Sequence, residues 1–255
     1  MKVKTKQIVN KIFPKFYNKL GVIKRDIILN KFKKSYPNTQ IFYESKRELY
    51  SQDNQDYIVY NYFFKDKKDG IFCDIGGNHP LNLNNTRYFE ELGWSGYVFE
   101  PLPYMKALWE EHRKATFFPY AASDKEGEVT FSMVKDATGW EDMLSFIKET
   151  RDEDYGQEVE DITVETRVLK DVFEKEGIEY IDYMSIDVEG HELNVIKGID
   201  FNKVSISVLT IENNPSDNYI YGDDRIRDIM LANGYVLWGR LVGLDDIYVK
   251  KEFLS

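Results

Sequence analysis

The chain has 255 residues, of which 42% are hydrophobic and 15% aromatic, which is enough to bury a core and excludes wholesale disorder. Its net charge of −10 argues against nucleic acid as the main partner, its single cysteine excludes an internal disulfide, and its longest apolar runs fall far short of the ~20 residues that span a bilayer. A cytoplasmic setting is the expectation, without a signal peptide, because the N-terminal stretch lacks both an uninterrupted apolar region and a small-residue cleavage site.

The charge is unevenly spread. Residues 1–34 carry eleven Lys or Arg and one acid, Asp26, which leaves the remainder with a net charge of −20. This asymmetry predicts two units, a basic helical extension over residues 1–50 and an α/β domain over residues 51–255. Ile8, Ile12, Phe16 and Leu20 recur at four-residue spacing, a helix period, and Pro14 is expected to break or restart that helix. Such a segment suits a cap on the core or a bridge between the subunits of a homodimer. A basic surface for anionic membrane lipid is the alternative, disfavoured because the acidic body already offers the opposite charge.

Asp53–Asp56 reads as a helix start, followed by an apolar stripe of Ile58, Val59, Tyr62 and Phe63. From residue 71 short apolar runs alternate with helical stretches. Strands are predicted at 71–75, 97–100, 116–122, 128–134, 162–166, 180–186 and 204–211, and helices at 84–92, 103–114, 168–176, 191–197 and 223–233. Residues 235–239 and 246–250 close the chain as two antiparallel strands across the Leu241–Gly243 turn. This alternation predicts an α/β fold with a mainly parallel, doubly wound sheet, an antiparallel C-terminal strand and helices on both faces. The acidic stretch Lys135–Asp161 fits no element and is expected to form a lid, with Trp140 and Phe146 able to stack on a sugar.

Parallel sheets bind ligands beyond the C-terminal ends of their strands, so the strand tips carry the chemistry. The first ends in Asp74-Ile75-Gly76-Gly77-Asn78, a turn that lets a ligand approach the backbone, with an acid that can receive a cation or orient the turn. The second ends in Glu100-Pro101, where a carboxylate is placed to accept both ribose hydroxyls of an adenosine. A dinucleotide fingerprint needs a third glycine, and Asn78-His79-Pro80 is too bulky for it, so a methyl donor without a pyrophosphate is favoured over a nicotinamide. The 180–186 strand runs into Asp187-Val188-Glu189-Gly190-His191-Glu192. Crowded acids raise one another's pKa and suit proton transfer or cation binding, although Glu192 can equally cap the next helix. The neighbouring tip is Glu212-Asn213-Asn214. Asp187, Glu212 and Asn213 are weak candidates to ligate Mg²⁺ and equally suit a polyhydroxyl substrate. Cys73 reads as a core thiol, His112 as surface and His79 as structural.

These stretches resemble the FkbM-type methyltransferases. The matching segments are Phe72–Asn78 (FCDIGGN), Asn85-Thr86, Phe89–Pro101 (FEELGWSGYVFEP), Val164–Leu169 (VETRVL) and Ile181–Phe201 (IDYMSIDVEGHELNVIKGIDF). The resemblance spans roughly residues 50–250 and implies a Rossmann-like class I methyltransferase fold with S-adenosylmethionine as cofactor. It implies that Asp74, Gly76, Gly77, Asn78, Thr86, Glu100, Pro101, Ala122, Ser123 and Asp187 hold the cofactor, although Gly77 is commonly alanine in the family and His79-Pro80 departs from many members. It also implies methyl transfer to a hydroxyl oxygen, often of a sugar, which here means a glycan or glycolipid acceptor.

Transfer from a sulfonium is an in-line displacement that needs alignment and a base for the hydroxyl proton. His191 or Asp187 is the expected base, with Glu189 orienting the acceptor. The alternatives are a non-catalytic Rossmann-like module that binds a glycan or partner, and a nicotinamide-dependent sugar oxidoreductase.

Overall fold

The computed structural model describes residues 14–135, 141–150, 158–215 and 220–254. Two sheets organise the chain. The larger has the order β1 (Gln40–Phe42), β11 (Tyr235–Leu241), β12 (Asp245–Lys250), β10 (Ser205–Glu212), β9 (Tyr180–Ile186), β2 (Ile71–Ile75), β3 (Ser95–Phe99) and β4 (Thr116–Phe118). All neighbours in it are parallel except those of β12, which runs antiparallel to both β10 and β11. The chain moves outward from β2 through β3 to β4, then returns to the other side of β2 as β9 and β10. The crevice between β2 and β9 is therefore the topological switch point, where a doubly wound sheet opens a ligand site.

The fold is thus mixed α/β, and the strand predicted at 180–186 is observed with those bounds. Its side chains are buried from Ile181 onward, as the continuous apolar run of a central parallel strand requires. Cys73 is fully buried in β2, and burial pushes its thiol well up, so it is a packing group. Three predicted elements are corrected. Residues 116–122 form two strands rather than one. Pro119 has no N–H to donate, the ladder of the large sheet stops at Phe118, and Ala121–Ser123 starts a second sheet as β5. The helix predicted at 84–92 shrinks to Arg87–Glu91, because the Asn84 side chain bonds to Asp74, the Gly77 carbonyl and the Thr86 N–H. The supposed lid contains ordered structure: β7 (Phe146–Ile147) pairs antiparallel with β6 (Gly127–Val134), which also pairs with β8 (Val159–Val168). Phe146 is buried there and is not available to stack on a sugar. Trp140 lies outside the described residues.

A helix, α1 (Pro14–Ser35), begins at the proline, a position where its missing N–H costs nothing. Ile8 and Ile12 lie outside the described residues. The C-terminal half of α1 docks through Phe32, which is buried in the main core, Leu29 is buried close to it in sequence, and Tyr36 donates to Asp224 (2.7 Å). Strand β1 follows and completes the sheet edge against β11, so residues 40–42 already share the sheet of the α/β unit. No helix among the described residues is long and apolar enough to cross a membrane.

Candidate functional site

Register builds the site. Ile75 stands opposite Phe99 on one side and Ile186 on the other, and Ile186 stands opposite Ile211. The residues after them, Gly76, Glu100, Asp187 and Glu212, emerge along one sheet edge. Because β12 is antiparallel, its first residue, Asp245, pairs with Glu212 and joins them. Gly76 donates to the Phe99 carbonyl (2.9 Å), and Asp187 donates from its N–H to the Ile75 carbonyl (3.0 Å). Gly76 has φ 83°, and a Cβ there would lie 1.8 Å from the Asp187 carbonyl oxygen. The approach that requires this glycine is that of the β9 loop, more directly than that of a ligand.

Glu100 is 4% exposed, yet it forms part of a cavity wall. Its two carboxylate oxygens accept from the Asn78 N–H and the Leu102 N–H, each at 2.8 Å. Asn78 is held in turn by Trp109, whose indole N–H donates to the Asn78 carbonyl (2.7 Å). The turn is strained: Asn78 has φ 39°, and Glu189 on the facing loop has φ 54°. Left-handed backbone at two non-glycine residues facing one crevice is a mark of a functional site. The Glu189 loop is folded back by Glu192, which accepts from the N–H groups of Val188 (3.1 Å) and Gly190 (3.0 Å).

Two cavities open at this edge. The smaller lies among Glu100, Pro101, Leu102, Ala121, Ala122, Phe131, Ile147 and His191. The larger is open to solvent and bounded by Arg47, Asp53, Gln55, Asn85, Glu212 and Asp245. They meet at Gly76, Asn78, Met143, Asp187 and Glu189, which border both. The arrangement offers two adjoining compartments with carboxylates at their junction.

The chain matches the Methyltransferase FkbM domain over residues 74–237, well over half its length. The chain belongs to the FkbM methyltransferase family. No curated protein and no solved structure matches it.

In this FkbM methyltransferase, the residues named from sequence fall into three groups. Gly76, Asn78, Glu100, Pro101, Ala122, Asp187, Glu189 and His191 border the smaller cavity. Asp74, Gly77, Thr86 and Ser123 stand behind that wall. Thr86 is fully buried and donates to Asp74 (2.8 Å), Asn84 bonds the same carboxylate oxygen (3.2 Å), and the Arg113 guanidinium ties Asn84, Thr86 and the Pro80 carbonyl together. Asp74 and Thr86 thus form a polar underlay that sets the turn. His79 is likewise occupied, its Nδ1 accepting from the Leu81 and Asn82 N–H groups.

The third group comprises the metal candidates, and Asn213 is corrected. Its side chain turns away into a buried network, donating to Asp246 (2.7 Å) and accepting from the Asp223 N–H (2.5 Å). Among the described residues no group of three or more His, Cys, Asp or Glu is arranged to hold a metal ion.

Sequence reasoning missed Asp245, Met143, Asp53 and Gln55. The signal for Asp245 was the reversed final strand: placed against β10 as well as β11, its first residue lands beside Glu212.

Removal from water, reinforced by mutual repulsion, pushes the Asp187 and Glu212 carboxyls of this FkbM methyltransferase well above the usual carboxylate range. Burial also lifts Asp245 to about 6, although a hydrogen bond from Gln55 opposes it. A raised carboxyl binds its proton more tightly folded than unfolded, so ionising it destabilises the fold as pH rises from about 4 through 6. Asp245→Asn is therefore expected to stabilise the protein at pH 8 by on the order of 2–3 kcal/mol, a Tm gain of about 5 °C that fades by about pH 4. Thermal melts at both pH values check it, and an equal gain at both would refute the ionisation account.

Proposed function

We propose that this methyltransferase uses S-adenosylmethionine and transfers its methyl group to a hydroxyl oxygen of a sugar in a glycan or glycolipid, on a Rossmann-like class I fold. The observation that carries this reading is the pair of cavities meeting at Asp187 and Glu189 beside the switch point of a mainly parallel sheet. The chemistry of the smaller cavity's lining suits an adenosyl group: it has apolar walls, a carboxylate at a strand tip, and a buried, unpartnered His191 Nδ1. The bound cofactor would supply an electrophilic methyl on a cationic sulfonium. Glu100 would hold the ribose hydroxyls, and Asn78, Gly76 and Pro101 would shape the wall around it.

The larger cavity would hold the acceptor. Its Asn85, Gln55, Asp53 and Asn214 side chains offer both donors and acceptors, as a polyhydroxyl compound requires. Asp187 stands at the junction and is the base in this reading, because its raised pKa makes it a better proton acceptor than an ordinary aspartate. His191 does not take that role. It borders only the smaller cavity, and its Nε2 is 3.0 Å from the Ser123 hydroxyl. Glu189, also at the junction, would orient the acceptor.

Calorimetric titration with S-adenosylmethionine and with NAD tests the cofactor, and a methyl-labelled donor with a panel of mono- and oligosaccharides tests the acceptor. Micromolar binding of the first cofactor, none of the second, and label on sugar oxygen are expected. Binding of NAD alone, or label on nitrogen or carbon, would refute the proposal.

A further inference from the structure

We infer that His191 reads the purine of the cofactor, accepting at Nδ1 a hydrogen bond from an exocyclic amine and so selecting adenine over an oxo-purine. The inference rests on the cofactor reading above and assigns His191 a specificity role in place of the base role expected from sequence.

The argument starts from what the imidazole lacks. His191 is 5% exposed and stands immediately before the helix Glu192–Lys197, at its N-cap position, yet its side chain makes no capping hydrogen bond. Its Nδ1 is buried without any hydrogen-bond partner. Leaving a buried polar nitrogen unsatisfied costs on the order of 1–3 kcal/mol, so a persistent orphan marks a place where a ligand completes the pair. The ring forms part of the smaller cavity's wall, so a molecule bound there packs against it.

The partner's chemistry follows from the other ring nitrogen. Nε2 lies 3.0 Å from Ser123 Oγ, and the same hydroxyl is oriented toward Asp124 Oδ1 at 3.4 Å. A carboxylate only accepts, and serine has a single proton to give. With that proton directed to Asp124, the hydroxyl receives from His191, which places the imidazole proton on Nε2 and leaves a lone pair on Nδ1. Burial lowers the His191 pKa and favours this neutral ring. The cavity therefore presents an acceptor and calls for a donor on the ligand.

Position in the cavity decides which part of the ligand supplies it. The end shared with the larger cavity is where the reacting group must lie, at Asp187 and Glu189. The end that is not shared is walled largely by apolar side chains, Leu102, Ala121, Ala122, Phe131 and Ile147, as a purine face requires, with Ser145 and His191 as polar members. Adenine offers an amine there, whereas hypoxanthine offers a carbonyl oxygen whose lone pairs oppose that of Nδ1. Selectivity built on one such group is steep, because the wrong ligand leaves a buried polar atom unpaired.

The test compares S-adenosylhomocysteine with S-inosylhomocysteine, which differ at that position, by calorimetry on wild type and on His191→Phe, which keeps a flat ring and removes the acceptor. Wild type is expected to prefer the adenosyl compound at least about tenfold, and the variant to bind the two within about threefold of each other. A wild type that binds both equally, or a variant that keeps the full preference, overturns the inference while leaving the cofactor reading intact. Failure of wild type to bind either compound overturns both. A second readout needs no variant. The chain has three histidines, so ¹⁵N spectra of wild type can be assigned, and His191 is expected to be protonated at Nε2, with its Nδ1 resonance moving upfield on adding S-adenosylhomocysteine. A proton on Nδ1, or a resonance that does not move, counts against the inference even if the variant fails to fold.

Discussion

Asp187→Asn is expected to lower kcat by about 10²–10⁴-fold while leaving affinity for S-adenosylmethionine within a few-fold of wild type. The substitution preserves shape, and the backbone contact that anchors this residue, its N–H to the Ile75 carbonyl (3.0 Å), does not involve the side chain. What it removes is a proton acceptor at the junction of the two cavities. Removal from water, and after it the repulsion of Glu189, Asp245, Glu192 and Asp74, raises the affinity of that carboxyl for a proton, which is what deprotonating an alcohol demands. A positive charge bound alongside draws its pKa back toward neutrality, so the empty and loaded sites are expected to differ in their pH response. The pH profile separates chemistry from architecture. The acidic limb of kcat/KM should be present in wild type and absent in Asp187→Asn, and a variant that keeps both the limb and the wild-type kcat would exclude Asp187 as the base.

Glu100→Ala is expected to weaken S-adenosylmethionine binding at least about tenfold. Each charge-assisted hydrogen bond from a ribose hydroxyl is worth about 1.5–3 kcal/mol, and two are at stake. Glu100 is well placed for this because the Asn78 and Leu102 amides fix its orientation in advance. The same amides make alanine a blunt probe, since Asn78 would lose the acceptor that holds its left-handed backbone. Glu100→Gln keeps one acceptor oxygen and removes the charge, and it should fall between wild type and alanine. Unchanged affinity in a folded alanine variant, established by calorimetry and a cooperative melt, would remove Glu100 from the cofactor site.

The sequence speaks clearly where structure is local. Strand tips are legible because an apolar run that ends in an acid and glycines states its own boundary, as at Asp74–Gly77 and at Asp187–Gly190. What it does not disclose is pairing between distant segments. Nothing near Gln40–Phe42 announces a parallel edge strand, because its partner β11 lies some two hundred residues away. The same holds for Asp245, which enters the site only through its register with Glu212. The second sheet was hidden by a different cause. The pieces of Lys135–Asp161 that form it are short and flanked by charge, and their apolar side chains are claimed by β6 rather than by any helix period of their own. Polar side chains behave likewise. Thr86 and Asn84 look like ligand contacts or helix residues in sequence, whereas the Arg113 guanidinium and the Asp74 carboxylate recruit them into the underlay of the turn.

The interlock of Gly76 with the Asp187 carbonyl has a consequence for how such an enzyme can diversify. The β2 and β9 loops are keyed backbone to backbone, so neither can change length or conformation without expelling the other. The smaller cavity shares that rigidity where its wall is made by the tips after β2, β3 and β9, at Gly76, Glu100 and Asp187. The outer wall of the other compartment is different in kind: Arg47, Asp53 and Gln55 precede the first central strand, and Leu244 and Asp245 sit on a hairpin near the chain's end. Those pieces touch the keyed loops only at their margins. On the proposed reading, acceptor preference can drift by exchange of two short peripheral segments while the donor half stays fixed, which makes this crevice a socket with one invariant face and one replaceable face.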